Sequence, residues 1–459
     1  MKIATYIKVL IPTKEQFKNW SLPSKVTYIS GWVGVLGILL SVLFFLLSPN
    51  YEEPITKLIK LNSDLTEEKA NLLRALVACK LQNEALTQSL SCANSSNLSE
   101  EEVASFATKV EKTSRNQLEL GHAKFLLGNT KEAIKQWKIA AKKGDQDAQF
   151  YLGALFQQIG NEESLAESIY WYEQAAGQGN PKALTNLGHI YQKGIGVTVD
   201  LKKAMDYYQK AAMLKDERAQ ANLGNMYQNG LGVTVDYEKA FHWNTKAAKK
   251  NVAAAQVNLG LVYRNGLGKK IDYQQAFDWF TKAANQSDAA GQLNIGFMYF
   301  EGLGRAVNYK SAFDWYSKAA NQGFDPAQVH LANLYHKGIG QPANWEKAIF
   351  WYEKAATQGN SDAQTSLGNL YFDQNEFKKS FDWYAIAAKG GDQVAQMNLG
   401  MAYQLGNGVR SSKKEALRWF LKSAKQGYPP AMRIFSGLSL SEIKDIEFES
   451  LADKNFSQE

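Results

Sequence analysis

The sequence is poor in the residues that most often carry chemistry. Its 459 residues include only two cysteines, Cys79 and Cys92, and five histidines. Two cysteines exclude a disulfide-rich scaffold, because such folds need several bridges. No histidine has the HExxH spacing of a zinc protease, and His330 and His336 are too far round a helix to share a face. We therefore predict no catalytic residue, no metal site and no cofactor.

Charged residues are absent from residues 26–47. As a helix this segment would measure about 33 Å, enough to cross a bilayer core of about 30 Å. A cleaved signal peptide, the alternative, would have a shorter apolar region of roughly 7–15 residues and a small-residue cleavage site. Five lysines against one glutamate in residues 1–25 orient the amino terminus to the cytoplasm. We predict a cytoplasmic basic tail over 1–25, a transmembrane helix over 26–47, and everything from residue 51 onward on the other side of the membrane.

A repeat of about 36 residues dominates the rest of the chain. A Leu-Gly dipeptide, or a close equivalent, ends at Gly121, Gly153, Gly188, Gly224, Gly260, Gly296, Ala332, Gly368 and Gly400. Pairs of alanines, replaced by Ser-Ala in the ninth repeat, keep the same register further along each unit. Two columns in one register indicate tandem structural repeats.

Each repeat is predicted to consist of a first helix (helix A), a glycine turn and a second helix (helix B). In repeat four, Gly224 lies on the apolar stripe of helix A, Gly230 and Gly232 form the turn, and Asp236 has the N-cap residue type for helix B. The small Gly224 lets the two helices approach closely. One such hairpin cannot bury its apolar face alone, so stacked hairpins must share a core.

Two more columns recur in helix B. The lysine column is either a solvated face or a contact for an acidic partner, and comprises Lys210, Lys246, Lys282, Lys318, Lys354 and Lys422. The tryptophan column is predicted to belong to the core rather than to stack on sugars, and comprises Trp137, Trp171, Trp243, Trp279, Trp315, Trp351, Trp383 and Trp419.

Repeat three carries the fullest motif, with Ala183, Leu187, Gly188, Tyr191, Gly194, Gly196, Val197, Asp200, Lys203, Ala204, Tyr207, Tyr208, Lys210, Ala211 and Ala212. This pattern resembles the Sel1-like repeat, a relative of the tetratricopeptide repeat. The resemblance implies a right-handed superhelix with a concave face and an adaptor role. We predict an all-α fold, an α-solenoid of nine helix-turn-helix repeats over 115–427. Repeats one, two and eight lack the Gly-x-Gly turn.

Residues 51–92 are predicted to form a helical stalk. Leucines and Cys79 recur every seven residues, with a second row that starts at Ile55. A parallel coiled coil, making a homodimer through 55–90, is one interpretation, and a helix packed on the first repeats is the other. Residues 93–114 are predicted as a linker, and 428–459 as a capping segment and tail, with capping-box spacing from Ser439 to Glu442.

A polar ladder along helix A is the candidate partner-binding surface. We call it the helix A ladder, and it comprises Asn186, His189, Asn222, Asn225, Asn258, Leu261, Asn294, Phe297, His330, Asn333, Ser366, Asn369 and Asn398. Asparagine is a poor helix former, so its recurrence needs a reason. The amides either line the concave face and bind an extended peptide, or bond neighbouring helices to one another. Both interpretations stay open.

These features predict a non-enzymatic adaptor that binds proteins or peptides, with no nucleic-acid partner. The resemblance, the span and its charge asymmetry place it in a bacterial inner membrane with periplasmic repeats, in an envelope, secretion or host-interaction assembly. One alternative is a Sel1-like protein that binds or hydrolyses cell-wall precursors or β-lactams, but such relatives have cysteine pairs in each repeat, and 115–427 contain none. The other is an adaptor of the endoplasmic reticulum.

Overall fold

The computed structural model describes residues 70–78, 80–81, 100–114 and 116–436, and the regular structure of these residues is entirely helical. Residues 70–78 and 80–81 are helical, and the helices that follow are α1 Glu100–Thr113, α2 Gln117–Leu126, α3 Thr130–Lys142, α4 Gln146–Ile159, α5 Glu162–Gly177, α6 Pro181–Lys193, α7 Leu201–Met213, α8 Glu217–Asn229, α9 Tyr237–Lys249, α10 Ala253–Asn265, α11 Tyr273–Asn285, α12 Ala289–Glu301, α13 Tyr309–Asn321, α14 Asp325–Lys337, α15 Trp345–Thr357, α16 Ser361–Asp373, α17 Phe377–Lys389, α18 Gln393–Leu405, α19 Lys413–Lys425 and α20 Pro429–Phe435. The chain divides into two compact units, residues 1–220 and 221–459, with the division inside α8.

The described residues from α2 to α19 form nine successive pairs of helices, which confirms the predicted helix-turn-helix repeats. Within each unit, a helix A packs on the helix B of its own repeat, and that helix B packs on the next helix A. The tandem hairpins therefore give the solenoid type of fold that the period predicts.

Side-chain caps and glycines set the bounds of these helices. The Asp236 carboxylate accepts a hydrogen bond from the backbone N–H of Lys239 at 2.9 Å, which starts helix B of repeat four as predicted. In the next repeat, Gly266 and Gly268 have φ values of 70° and 67°, the left-handed region that suits glycine. A Cβ on Gly268 would also lie 2.6 Å from the Cβ of Tyr237, so this turn rests directly on the preceding helix B.

The glycine of each Leu-Gly or Ile-Gly pair faces a buried side chain of helix B in its own repeat, as the close approach of the two helices requires. A Cβ on Gly188, for example, would lie 2.6 Å from Cε1 of Tyr208. This buried column stands four residues before the second alanine of each helix B, and comprises Trp137, Tyr172, Tyr208, Asn244, Phe280, Tyr316, Tyr352, Tyr384 and Phe420.

The tryptophan column needs one correction. Trp137 belongs to the buried column, because its indole contacts Gly121 and it is fully buried. The other tryptophans stand one position earlier in their repeats. From Trp243 onward they are only half-buried, with the inner side of the ring against the core. Except at Trp383, a lysine of the lysine column lies over the ring, as where Nζ of Lys282 lies 3.9 Å from the centroid of Trp279.

Residues 70–81 pack on the first helices of the chain. Leu73 is buried with Ala107 of α1 and Ala123 of α2, and Val77 joins the cluster around Trp137. Nζ of Lys80 donates to the carbonyl of Phe125 at 2.9 Å. These contacts favour the second interpretation of the stalk, a helix packed on the first repeats. The rest of 51–92 lies outside the described residues.

The predicted linker contains helix α1. Its residues Val103, Phe106, Ala107 and Val110 follow a helical spacing, and Ala107 and Val110 are fully buried. This stripe is too short to show a repeat register, so the sequence alone predicts a linker here. The predicted transmembrane helix and the capping segment from Ser439 lie outside the described residues. Within those residues, no helix has both the length and the apolar character needed to cross a membrane.

His122 is the most deeply buried histidine of the described residues, with 1% of its surface exposed. Nε1–H of Trp137 donates to its Nδ1 at 3.1 Å, and the ring of Tyr151 lies 4.6 Å away, centroid to centroid. Burial, reinforced by the charge of Arg74, lowers the pKa of His122 to about 3. The imidazole is therefore neutral in the folded chain and accepts the indole hydrogen bond.

We expect His122 to make the fold acid-sensitive. An unfolded histidine has a pKa of about 6.5, so the unfolded chain binds the extra proton first, and the stability that neutral His122 contributes is lost as the pH falls from about 6.5 towards 3. The free energy of unfolding should fall by up to about 1.4 kcal/mol per pH unit from this group. Urea unfolding at pH 7 and pH 5 should show a smaller difference for His122→Asn, which keeps an acceptor for Trp137 but does not titrate. An equal pH dependence in both chains would contradict the assignment.

Candidate partner-binding surface

The helix A ladder occupies the same two positions in successive helices A. Asn186 and His189 belong to the first unit, and the eleven positions from Asn222 to Asn398 belong to the second. Each ladder side chain is half-buried, except His189 and Asn369, which are exposed. The ladder is therefore open to solvent along the second unit while its backbone is fixed by the packed repeats.

Several ladder amides bond to the buried column beneath them. The hydroxyl of Tyr352 donates to Oδ1 of Asn333 at 2.8 Å, and that of Tyr384 donates to Oδ1 of Asn369 at 2.7 Å. Burial raises the pKa of each tyrosine to about 12, so both hydroxyls remain donors at neutral pH. Nδ2 of Asn398 in turn donates to Asn369 at 3.2 Å. The bonding interpretation therefore holds for these amides, whose orientation is fixed.

The two ladder histidines differ in their surroundings. His330 stacks on Tyr316 with ring centroids 4.9 Å apart, and burial lowers the pKa of His330 despite the carboxylate of Asp362. His189 is exposed, and its pKa is lowered by partial desolvation and by Lys193. At neutral pH both rings offer a neutral donor and acceptor rather than a charge.

Bonding between repeats also involves a glutamine column that could not be read from the sequence pattern. Nε2 of Gln328 donates to the carbonyl of Ala320 in the preceding helix B at 3.2 Å. Its Oε1 accepts from Gln358, at the end of its own repeat, at 2.9 Å. Repeats two, five, six and nine have the same glutamine pair, at Gln149 with Gln178, Gln256 with Gln286, Gln292 with Gln322, and Gln396 with Gln426. Four ladder amides, Asn186, Asn258, Asn294 and Asn398, also bond across repeats, so a partner would bind the exposed edges that these bonds leave.

The middle of the second unit departs from this pattern. Asn244 and Phe280 stand where most repeats have a tyrosine, so two consecutive repeats lack the hydroxyl beneath the ladder. Oδ1 of Asn244 accepts from Nδ2 of Asn258 at 3.2 Å, whereas the buried Nδ2 of Asn244 has no acceptor among the described residues. Leu261 and Phe297, the apolar members of the ladder, are half-buried here.

Arg264 is a further member of this surface. It stands one helical turn after the Leu-Gly glycine, where Gln192 and Gln228 stand in earlier repeats. Its Nη1 donates to Oδ1 of Asn294 at 2.7 Å, and its guanidinium carbon lies 5.1 Å from the ring centroid of Phe297. An arginine at a position where the two preceding repeats have glutamine was a signal present in the sequence.

The described residues contain no cluster of histidine, cysteine, aspartate and glutamate that could hold a metal ion. The surface consists of amides, two imidazoles, one hydroxyl, two apolar side chains and one guanidinium. Such groups bind by hydrogen bonding, packing and charge.

The fold and this surface define a tandem helical-repeat protein with one repeated polar face. The Sel1 repeat model matches eight consecutive segments, namely residues 146–180, 181–216, 217–252, 253–288, 289–324, 325–360, 361–392 and 393–428. The chain therefore belongs to the Sel1-repeat family, whose members are generally protein-interaction scaffolds. The pair α2–α3, the first of the nine predicted repeats, precedes the matched segments.

Two solved structures of bacterial proteins are similar to this chain. A Sel1 repeat protein from Oxalobacter formigenes is 29% identical, with a TM-score of 0.50, over 67% of this chain and 91% of that protein. The protein c5321, described as a protective antigen of uropathogenic Escherichia coli strains with an SLR fold, is 32% identical over 73% of this chain and 81% of its own, with a TM-score of 0.40. No curated protein matches the chain.

Proposed function

We propose that this chain is a non-enzymatic scaffold that binds an extended segment of a partner protein along the helix A ladder of its second unit. The observation that carries the proposal is the recurrence of half-exposed amides at one position of helix A, while a separate glutamine column bonds to carbonyls of the preceding helix B.

The chemistry of the ladder suits an extended peptide. A carboxamide offers both a donor and an acceptor, and an extended backbone presents the same two groups to its surroundings. The amides held by tyrosine hydroxyls are oriented before binding, which lowers the entropy that binding must overcome. Leu261 and Phe297 would receive an apolar side chain of the segment near the middle of the unit.

The proposal includes a membrane location. The uncharged residues 26–47, with five lysines before them, support a single span with a cytoplasmic amino terminus. The repeats would then lie in the bacterial periplasm, as part of an envelope, secretion or host-interaction assembly. A reporter fused to the carboxyl terminus should be active only in its periplasmic form, and activity of a cytoplasmic reporter would overturn this topology.

Site-specific crosslinking tests the ladder. A photo-reactive amino acid at Asn258 or Phe297 should capture the same partner in cells, and at Asp314, an exposed residue of helix B, it should not. The crosslinked residues of the partner should fall in one contiguous segment, and a synthetic peptide of that segment should compete with capture. Equal capture from Asp314, or crosslinks scattered over a folded partner surface, would contradict the proposal.

A further inference from the structure

The guanidinium of Arg264 is a half-buried cation without a carboxylate partner. Its hydrogen bonds are those from Nη1 to Asn294, at 2.7 Å, and from Nε to Asn265, at 3.0 Å, both to amide oxygens. Among the described residues, no Asp or Glu oxygen lies within 4.0 Å of a guanidinium nitrogen of Arg264, and Nη2 has no acceptor. Desolvation lowers the pKa of Arg264, with no charged neighbour contributing.

Such an arrangement costs free energy in the unbound chain, because a desolvated charge needs a counter-ion or a full set of hydrogen bonds. Repeat three has a glutamine at this position, and Oε1 of Gln192 accepts from the hydroxyl of Tyr208 at 2.9 Å. The residue beneath Arg264 is Phe280, which has no hydroxyl to offer.

The surroundings hold the guanidinium rigidly. Its carbon lies 5.1 Å from the ring centroid of Phe297 and 6.0 Å from that of Phe280, so it is stacked between two aromatic side chains. The amides of Asn265 and Asn294 occupy Nε and one side of Nη1. The donors of Nη2 have no acceptor among the described residues and remain available for a charged acceptor such as a carboxylate.

We propose that Arg264 binds a carboxylate of the partner segment, supplied either by an Asp or Glu side chain or by a free carboxyl terminus, beside an apolar residue that packs on Leu261 and Phe297. The inference rests on the proposed function, since the carboxylate is that of the segment bound along the ladder. It adds that an acidic group is required at this one place.

Peptide selection on the full-length chain in mild detergent is the test. One displayed library has random twelve-residue segments fused at both ends, so only side chains supply carboxylates, and a second ends in a free carboxyl terminus. Peptides are kept when their binding is weakened by Asn258→Ala with Asn294→Ala, which identifies ladder binders. Their affinities are then measured for the unmodified chain, Arg264→Gln and Arg264→Lys, each checked for an unchanged melting temperature.

We expect the ladder binders to share a carboxylate next to an apolar residue. Arg264→Gln should weaken them by about 10- to 100-fold, the usual size of a charge-assisted hydrogen bond, and Arg264→Lys by less. Replacing the peptide carboxylate with an amide should cause the same loss in the unmodified chain and little further loss in Arg264→Gln. The library that yields the binders distinguishes a side chain from a carboxyl terminus.

Two results would overturn the inference, and only the second would also overturn the proposed function. Ladder binders that lack an acidic group and bind Arg264→Gln equally well would reject the role of Arg264 and leave the proposed function standing. A failure of both libraries to yield any peptide that depends on Asn258 and Asn294 would reject both.

Discussion

Trp137→Ala is expected to lower the free energy of unfolding by about 3–5 kcal/mol, the range for large aromatic residues in a packed core. The indole is fully buried, packs against the rings of Phe125 and Tyr151, and donates its N–H to His122. Alanine would leave a cavity beside Gly121 and an imidazole without its donor. The loss should appear in urea unfolding and in faster hydrogen exchange of α2 and α3.

Trp279→Ala is the matched control. Trp279 was predicted to share a column with Trp137, but it is half-buried and carries Lys282 on its outer side, 3.9 Å from the ring centroid. We expect a smaller loss, about 1–2 kcal/mol. If both substitutions cost the same, the placement of Trp137 in the buried column would be wrong.

The contrast between these tryptophans shows how far the sequence could predict the fold. The helices, most glycine turns and most N-caps follow from short-range signals that recur along the repeats, so they were predictable. Trp137 was misplaced because residue type alone does not fix the distance from Ala141. Counting back from the alanine pair places it four residues away, level with Tyr172.

The candidate site was predictable where it follows the repeat and not where it departs from it. The ladder positions could be read from the register alone. The glutamine bonds could not, because they join side chains 30 residues apart whose meeting depends on how helices stack. Arg264 was missed since it occurs in one repeat only, and α1 was missed since it precedes the repeats and shares no register with them.

Gly188→Leu is expected to destabilise the chain by about 1–3 kcal/mol through overpacking. A Cβ at this position would meet Cε1 and Cδ1 of Tyr208 at 2.6 and 2.7 Å, and the tyrosine ring is fully buried, so the two helices of repeat three would have to separate. Gly188→Ala should cost less, because repeat seven accommodates Ala332 at the equivalent position.

Gly177→Leu is the control for the loss of a helical glycine itself. Gly177 is exposed at the end of α5, and a Cβ there would meet no atom within 4 Å. Leucine favours helix more than glycine does, so this substitution should leave the urea midpoint unchanged or raise it. Since the two variants add the same side chain to a helix, the difference between their midpoints measures the cost of forcing helix A away from helix B. A Gly188→Leu chain as stable as Gly177→Leu would mean that the repeat does not depend on this close approach, and the shared core of the hairpins would need another explanation.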